Sequence, residues 1–477
     1  MPPTLFPSDY DRARLKPRLM HIGFGAFAKA HVCVFHDEML RRSQSDWGSV
    51  VCRLNSGEET LTKLDEAHGL FSVGEMVDDD LHLRRVGAVI KTLHPRRDGI
   101  NALLGQLADP NLQVVTLTVT EKGYCLSKGH LDTNNPAIVA DLKTPNAPKT
   151  AIGTLVEGLR LRSTTQNIGL TILSCDNLPA NGHLCQTAVL EYANKIDPEL
   201  ADWISTNCTF PCSMVDRITP AMTEASNAKM AIALGSPDPN GVFCEQFRQW
   251  VIEDNFAAMR PDWELGGAEL VRDVEPYEDL KLRLLNGSHS FLAYLGAVDG
   301  KETIAECMSD AALRKAALSL MLDEQAKTLS MPDGVDVPAY AKALMDRFSN
   351  RALHHKTTQI ASDGSQKLPQ RLLASIRLHL KAGRSWPLSA LGVAGWMQYC
   401  RGRSEAGHDL PLNDPLADKI SEIAAQNDKA EYVRQLLSLE TIFAPDLVAN
   451  PIFTETIQST FETLSTKGAQ TALAEAN

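Results

Sequence analysis

The stretch RLMHIGFGAFA, residues 18–28, decides how the first half of the chain folds. Its first five residues form a short apolar run typical of a strand, and the next six match the pattern G-x-G-x-x-G/A. Gly23 permits a tight turn, Gly25 lets the backbone approach a pyrophosphate, and Ala28 lets the following helix pack closely against the strand. The stretch therefore predicts a strand, a loop and a helix that bind a dinucleotide. The loop residues expected to contact it are Gly23, Phe24, Gly25, Ala26 and Phe27.

Strand-like runs and amphipathic stretches alternate around this loop. The predicted strands are Arg18–Ile22, Ser49–Leu54, Gln113–Val119, Gly169–Ser174 and Thr209–Val215, and the predicted helices are Ala28–Arg42, Ala151–Arg162 and His183–Lys195. This alternation is typical of a mainly parallel sheet with crossover helices. Between Phe71 and Leu93 the alternation of apolar and polar residues predicts added antiparallel strands, so we expect a mixed sheet. The expected fold class is α/β, with a Rossmann-like dinucleotide-binding domain over residues 1–270.

The texture of the sequence changes beyond about Val271. Strand-like runs become rare, and segments rich in alanine and leucine, such as AALRKAALSLMLDEQAKTL, dominate. Short breakers, including the stretch SMPDG at 330–334, separate these segments. We therefore predict a mainly α-helical C-terminal domain over residues 271–477 that holds the substrate.

Composition excludes several classes of protein. Lysine and arginine total 47 against 59 aspartates and glutamates, and this net charge of -12 argues against a nucleic-acid binder. No apolar run is long enough for a membrane span and the first residues lack a signal-peptide core, so we expect a cytoplasmic protein. The ten cysteines are scattered, Cys208 and Cys212 lack a second ligand pair, and no HExxH motif is present. We therefore predict reduced thiols and no metal site.

An acidic residue is expected near the end of the second predicted strand, where it would bind the adenosine ribose. Glu58 or Glu59 is the candidate, and the nearby Arg53 complicates this assignment. We favour NAD over NADP as the cofactor. Asp216 is a further candidate for the cofactor site. Arg217 follows directly. An adjacent acid and base at a strand end more often have a structural role, and we favour that interpretation for this pair.

The stretch EPYEDLKLRLLNGSHSFLAYLG, residues 275–296, carries the strongest chemical signal. In an α-helix Lys281, His289 and Asn286 would lie at about 0°, 80° and 140° around the axis, on one side. A lysine, a histidine and an amide would be costly as core filler, because buried cations and polar groups need partners. The pattern predicts a site, although such a spacing on its own is often structural.

Four motifs together are similar to those of a known family. They are K-x4-N-x2-H at 281–289, TEKGY at 120–124, SCDN at 174–177 and SMVDRI at 213–218. The chain resembles the polyol-specific long-chain dehydrogenase/reductase family, also called the mannitol dehydrogenase family, along nearly its whole length. The resemblance implies metal-independent hydride transfer between NAD and a secondary alcohol.

The resemblance also implies roles for individual residues. Lys281 matches the family's catalytic base, and Asn177 and Asn286 match two asparagines that bind the reacting oxygen. His289 matches a histidine that holds a substrate oxygen, and Lys367 resembles a further substrate-binding lysine of the family.

Several sequence features bear on the substrate. TVTEKGYC, FRQWVIEDNF and DGSQKLPQRLL are most similar to the branch of the family that interconverts fructuronate and mannonate. Lys122 replaces a glycine and Gln359 an arginine that mannitol-oxidising members tend to have, and Ala28-Lys29 replaces a common His-Arg. The added cation at Lys122 suits a substrate carboxylate, with Lys367 or Arg371 as the next candidates.

Two alternatives remain open from the sequence. One is a mannitol or arabinitol 2-dehydrogenase acting on neutral polyols, and the other is a non-catalytic dinucleotide-binding sensor. In every case we expect a small-molecule partner, no nucleic acid or membrane partner, and a monomer or small homo-oligomer.

Four further histidines are not assigned to the site. His354 and His355 are predicted to be a solvated pair, and His31 and His36 to be surface or capping residues.

Overall fold

The computed structural model describes residues 4–6, 9–77, 80–425 and 428–476. The chain divides into two compact units, with the boundary between Glu275 and Pro276.

The strands all lie in the first unit among the described residues. They are β1 Thr4–Phe6, β2 Lys16–Ile22, β3 Trp47–Cys52, β4 Phe71–Val77, β5 Asp80–Val86, β6 Val89–Leu93, β7 Val114–Leu117, β8 Leu126–Ser127, β9 His130–Leu131, β10 Thr171–Ser174, β11 Ser213–Asp216, β12 Val242–Glu245, β13 Gln249–Glu253 and β14 Glu269–Val271.

A five-stranded sheet in the order β10-β7-β2-β3-β6 forms the centre of this unit. All its pairings are parallel, with Leu19 of β2 opposite Val114 of β7 and Met20 opposite Val50 of β3. All six residues of β3 are buried, as expected for a central strand covered on both faces. Because the strands are parallel, the loops that follow β2, β3, β7 and β10 leave the same edge of the sheet.

The antiparallel strands predicted between Phe71 and Leu93 are present, but they belong to a second sheet. β4 and β5 pair antiparallel in a four-stranded sheet of order β1-β5-β4-β12, whereas β6 joins the parallel sheet beside β3. Alternation along a strand reports which face is buried and carries no information on the sheet that the strand joins. The three consecutive aspartates at 78–80 are most simply interpreted from the sequence as a hairpin turn. Residues 78 and 79 lie outside the described residues, and Asp80 is the first residue of β5.

The last predicted strand also pairs elsewhere. β11 begins at Ser213 and runs antiparallel to β13 in a three-stranded sheet of order β11-β13-β14. Thr209 makes only an isolated bridge to Thr171, and Pro211, which lacks a backbone N–H, lies between that bridge and the strand.

Ten α-helices lie in the described part of the first unit. They are α1 Ala26–Ala30, α2 Val32–Arg42, α3 Glu58–Glu66, α4 Pro95–Asp98, α5 Ile100–Leu107, α6 Pro136–Lys143, α7 Ala151–Thr165, α8 Asn181–Ile196, α9 Pro198–Asn207 and α10 Glu224–Leu234.

The first predicted helix is divided into α1 and α2 at His31, whose backbone leaves the helical region at φ -114°, ψ -83°. His31 Nε2 lies 2.8 Å from the Gln249 carbonyl oxygen, and the ring stacks on Phe27. His36 Nε2 lies 2.8 Å from the Trp47 carbonyl oxygen. Burial lowers the pKa of His31 to about 3 and that of His36 to about 4. The predicted surface position is therefore wrong for both histidines, since both are buried. His31 does occupy the capping position between α1 and α2, although its side chain makes no capping hydrogen bond.

The second unit is helical, and within residues 276–425 and 428–476 it contains no strand. Its helices, the first of which begins at the boundary residue, are α11 Glu275–Leu280, α12 Ser288–Val298, α13 Ile304–Ser309, α14 Ala311–Ser319, α15 Val337–Ser349, α16 Thr357–Ile360, α17 Gly364–Leu368, α18 Ala374–Lys381, α19 Pro387–Tyr399, α20 Ala417–Ala424, α21 Lys429–Leu437, α22 Pro445–Val448, α23 Pro451–Lys467 and α24 Ala469–Ala476. Three π-helical segments, Lys281–Gly287, Leu320–Glu324 and Pro369–Leu373, interrupt the helical pattern.

Helices α12 and α19 form the centre of this unit's core. Nearly every residue of both is buried, which is typical of helices that are apolar all round. Gly395 of α19 leaves room for Leu295 of α12, because a Cβ at 395 would lie 3.0 Å from its Cδ2 atom. This close packing holds α12, the helix that carries His289 in its first turn, against α19. Across the described ranges, none of the helices combines the length and apolar character that crossing a membrane requires.

Candidate active-site residues

The glycine loop after β2 is held close to the ends of its neighbours. The N–H groups of Gly23 and Phe24 donate to the Cys52 carbonyl oxygen at 2.9 and 3.1 Å. Gly23 has φ +99°, and a Cβ there would overlap the Thr118 carbonyl oxygen. At Gly25 the nearest atom to a Cβ would be the Gly23 oxygen at 3.7 Å, so this side of the loop is open. The loop therefore fits the close approach of a pyrophosphate.

Residues of the loop differ in what they expose. Phe24 has no exposed surface, and its ring packs edge-on against Phe71 at 5.9 Å, so its side chain anchors the loop in the core. Ala28 is also fully buried, which allows the close helix packing expected from the motif. Ala26 and Phe27 are partly exposed and remain available to a ligand.

Lys29 follows the glycine loop, at one of the two positions where this chain differs from the common His-Arg of the family. Its side chain is a buried cation. Its Nζ donates to the carbonyl and side-chain oxygens of Asn240 at 3.2 and 2.7 Å and lies over the ring of Phe24. Burial lowers its pKa to about 8. These contacts give Lys29 a structural position beneath the loop.

Both carboxylates proposed for the adenosine ribose have basic partners. Glu58 lies 3.5 Å from His94 Nδ1 and 3.6 Å from Arg96 Nη1. Glu59 forms an ion pair with Lys63 at 2.6 Å. A ribose hydroxyl would share these carboxylates with their basic partners.

Asp176 joins two of the sequence motifs into one structure. Its carboxylate accepts the N–H groups of Val119 and Thr120 at 3.0 and 2.8 Å and the hydroxyl of Tyr124 at 2.7 Å. Tyr124 also contacts Ser174 Oγ at 2.6 Å. Burial raises the pKa of Asp176, and these donors oppose the rise. We did not predict this network, although a carboxylate directly after a buried strand was an available signal.

Lys122 and Asn177 lie in the segments that this network holds. Lys122 is exposed in a one-turn helix over Glu121–Tyr124, after β7. Asn177 is exposed directly after the carboxylate that follows β10. Because β7 and β10 are adjacent parallel strands, both residues lie at the edge from which the glycine loop also leaves.

Asp216 ends β11 and is buried opposite Gln249 of β13. The neighbouring Arg217 donates to the carbonyl oxygens of Ala30 and Glu245 at 2.6 and 3.0 Å and pairs with Glu75 at 2.6 Å. Arg217 therefore ties together three parts of the first unit.

Lys281 and Asn286 lie on a π-helical segment, not on the α-helix assumed from the sequence. The segment Lys281–Gly287 continues α11 and leads into α12. Its i to i+5 hydrogen bonding places Lys281 and Asn286 one turn apart on the same side, whereas α-helical geometry would separate them by about 140°. Lys281 is only 9% exposed. Isolated π-turns are frequent at functional sites.

His289 is held in a neutral state at the start of α12. Its ring stacks on Phe348 at 5.1 Å and on His355 at 5.5 Å, and its buried Nε2 has no hydrogen-bond partner among the described residues. Desolvation, aided by His355 and Arg371, holds the pKa of His289 well below its usual range. His354 is exposed, but His355 belongs to this stack, so the predicted solvated pair is wrong for His355.

A second π-helical segment brings Arg371 to the first. Arg371 donates to Ser290 Oγ at 3.0 Å and to the Asn286 carbonyl oxygen at 3.4 Å, while its buried Nε has no acceptor among the described residues. A Cβ at Gly287 would lie 3.0 Å from the Arg371 carbonyl oxygen, so the two segments approach closely there. Burial lowers the pKa of Arg371 to about 10.

Lys367 lies one turn before Arg371. Its Nζ donates to the carbonyl oxygens of Ile360 and Ser362 at 3.3 and 2.5 Å, and its ion-pair carboxylate, Asp363, is 4.0 Å away. Burial, and then the charge of Arg371, lower the pKa of Lys367 to about 8. Gln359, the other predicted substrate residue, is exposed on α16.

The described ranges contain no group of three or more histidine, cysteine, aspartate or glutamate side chains arranged to hold a metal ion. All ten cysteines are buried and free.

Comparisons with known proteins cover both units. The Mannitol dehydrogenase Rossmann domain matches residues 17–265, and the Mannitol dehydrogenase C-terminal domain matches residues 273–465. D-mannonate oxidoreductase of Escherichia coli (strain K12) is 48% identical over 99% of this chain and 98% of its own length. Polyol:NADP oxidoreductase of Gluconobacter oxydans (strain 621H) is 33% identical over 91% of each chain.

A solved structure gives the same result. Mannitol 2-dehydrogenase of Pseudomonas fluorescens, in a ternary complex with NAD and D-mannitol, matches with a TM-score of 0.85 and 34% identity over 99% of this chain and 96% of that one. The resemblance drawn from the motifs and the predicted fold class are confirmed. The chain belongs to the mannitol dehydrogenase family and is an oxidoreductase of that family.

Proposed function

We propose that the chain interconverts D-fructuronate and D-mannonate by hydride transfer with NAD. The observation that carries this proposal is the pair of cations Lys367 and Arg371. Arg371 forms no ion pair with any described residue, and Lys367 donates to two backbone carbonyls with its carboxylate partner 4.0 Å away. A relative that is 48% identical over nearly the whole chain is named D-mannonate oxidoreductase, which supports the same substrate class.

The charge of this pair favours an acid over a neutral sugar. Desolvated cations without carboxylate partners are costly, and a bound carboxylate would offset that cost with charge-assisted hydrogen bonds. A neutral polyol would leave Arg371 without a carboxylate and Lys367 with only the distant carboxylate of Asp363. Lys122 stays a proposed second contact to the carboxylate, with a smaller effect because its charge is exposed and screened by solvent.

Residues of both units have proposed roles in the reaction. When bound, NAD would accept the hydride, and the loop of Gly23 and Gly25 would hold its pyrophosphate. In the oxidation of mannonate, Lys281 Nζ takes the hydroxyl proton, and in the reverse direction it returns that proton to the developing alkoxide.

The reacting oxygen needs donors at the same time. The amides of Asn177 and Asn286 are proposed to donate to it and so stabilise the alkoxide. Because His289 is neutral, its Nε2 can hold a substrate oxygen without adding charge.

The experiment compares kcat/KM for fructuronate and for fructose with NADH. The near-ultraviolet absorbance of the reduced nicotinamide monitors the reaction. A charge-assisted hydrogen bond is worth about 1.5–3 kcal/mol, so fructuronate should be preferred by about 10–150-fold. Equal efficiencies would favour the neutral-polyol alternative. Dinucleotide binding without turnover of either sugar would favour the sensor.

A further inference from the structure

The segment that follows β3 lies where a parallel dinucleotide-binding sheet meets the adenosine ribose. In such folds an acidic side chain after the second strand binds the ribose hydroxyls of NAD, whereas a nearby arginine accommodates the 2′-phosphate of NADP. Here β3 ends at Cys52, is followed by Arg53, and reaches α3 through Gly57. The sheet pairs β3 directly with β2, the strand that carries the glycine loop.

Both acidic residues of this segment are occupied. Glu58 lies between His94 and Arg96, at 3.5 and 3.6 Å, and Glu59 pairs with Lys63 at 2.6 Å. A ribose hydroxyl would have to share either carboxylate with its basic partner. The segment therefore offers no unengaged acid at the expected place.

Arg53, unlike the two glutamates, has no charged partner among the described residues. Its guanidinium has no hydrogen bond or ion pair with any residue that the structure describes, and the residue is only partly buried. The backbone holds its position, since the Arg53 N–H donates to the Leu93 carbonyl oxygen at 3.3 Å. This arginine is an uncompensated cation directly after the second strand.

Gly57 provides the space for that guanidinium. A Cβ at 57 would lie 2.5 Å from both Nε and Cζ of Arg53, so the arginine occupies room that any other residue would fill. Gly57 also has φ +92°, a conformation that favours glycine. The charge of Arg53 reaches the base of the glycine loop, because it is one of the causes that lower the pKa of Lys29.

We infer that the adenosine end of the proposed cofactor site accepts a 2′-phosphate, that Arg53 is its partner, and that the chain uses NADP(H) in addition to NAD(H). The inference rests on the proposed function for the location of the dinucleotide. The relatives include proteins associated with either dinucleotide, since one is named for NADP and another was solved with NAD.

The test measures binding of two ligands that lack the nicotinamide, ADP-ribose and 2′-phospho-ADP-ribose, by titration calorimetry on the full chain. We expect the phosphorylated ligand to bind at least as tightly as ADP-ribose. ADP-ribose binding more than about tenfold tighter would overturn the inference and leave the proposed function intact. Failure of both ligands to bind would overturn the inference together with the cofactor part of the proposed function.

Three variants separate recognition from a structural role of Arg53. Arg53→Gln should weaken 2′-phospho-ADP-ribose by about 10–100-fold and ADP-ribose by less than about threefold, while Arg53→Lys should retain much of the phosphate preference. Equal weakening of both ligands in Arg53→Gln would show that the arginine only supports the loop. Glu58→Gln should leave ADP-ribose binding unchanged, and a loss above about tenfold would identify Glu58 as the ribose partner and contradict the inference.

Discussion

Asp176 in the first unit and the cation pair Lys367 and Arg371 in the second satisfy their polar groups in opposite ways. The Asp176 carboxylate receives three donors, two from backbone N–H groups and one from Tyr124. Lys367 has two backbone carbonyls and a carboxylate 4.0 Å away, and Arg371 has a hydroxyl, a carbonyl and a buried Nε without an acceptor among the described residues.

This difference distinguishes a group that supports a loop from groups that recognise a substrate. A carboxylate with its donors in place holds a loop in one conformation before any ligand arrives. Desolvated cations that have no carboxylate partner, or only a distant one, cost stability in the free protein, and an anionic ligand offsets that cost. We expect changes around Asp176 to alter loop stability, and changes to the cations to alter the choice of substrate.

The largest effect should come from Lys281. Replacing Lys281 by alanine removes the proposed base and should lower turnover by about 10²–10⁴-fold, while binding of NADH, measured by fluorescence, stays unchanged. The exposed Lys315 on α14 provides a matched control, since Lys315→Ala should leave both quantities near wild type. Near-normal turnover of Lys281→Ala at neutral pH would remove this lysine from the mechanism.

Substrate preference should respond next. Lys367→Gln should lower kcat/KM for fructuronate by about 10–100-fold and that for fructose by less than about threefold, because only the acid loses a charged partner. Lys122→Gly should narrow the preference by at most about fivefold, since exposed charges contribute about 0–1 kcal/mol. A larger effect at Lys122 than at Lys367 would assign the carboxylate to the first unit.

The pH dependence provides an independent check on Lys367. Its pKa of about 8 lies below the ordinary lysine value, so the side chain is charged below pH 8 and becomes neutral above it. An anion binds the charged form, and KM for fructuronate should therefore rise above about pH 8 by up to tenfold per pH unit. KM for fructose should stay flat, and Lys367→Gln should abolish the rise. A flat fructuronate profile in the wild type would contradict the assignment.

A smaller effect is expected at Asp176. Asp176→Asn replaces one acceptor by an amide and should cost about 1–3 kcal/mol, which corresponds to a fall in Tm of several degrees and a loss of activity through the loop. Asp141 serves as the control, because its buried carboxylate accepts the N–H groups of Lys149 and Thr150 at 2.9 and 2.8 Å and it has no proposed role in the reaction. Asp141→Asn should destabilise comparably and leave kcat/KM unchanged. Equal activity losses in both variants would make Asp176 merely structural.

The smallest expected effect is that of chelators. The described residues offer no cluster of metal ligands, and a lysine base needs no metal-bound water. Incubation with EDTA should change turnover by less than about twofold. Activity lost to EDTA and restored by zinc would refute the lysine mechanism.

Local patterns predicted much of the first unit. The strand, loop and helix at 18–28 could be recognised because each residue of the motif has a local physical reason. The pairing of β4 and β5 in a second sheet and the burial of His31 and His36 depend on partners distant in the sequence. Such partners leave no trace in the local periodicity.

The candidate active-site residues divide in the same way. Lys281, Asn286 and His289 lie within nine positions, so a helical pattern brought them together from sequence alone. The π-helical segment was not predictable, because one extra residue per turn cannot be recognised in so short a stretch. Arg371 reaches Ser290 across 81 positions, a contact that depends on packing of the whole second unit.

The most direct test of the account is the affinity of the NADH-saturated protein for mannonate and for mannitol, measured by titration calorimetry. NADH already carries the hydride and cannot accept another from an alcohol, so binding is observed without turnover. The charges of Lys367 and Arg371 predict that mannonate binds at least about tenfold more tightly than mannitol, and that added salt narrows this difference in affinity. Equal affinities for the acid and the neutral polyol would contradict the account.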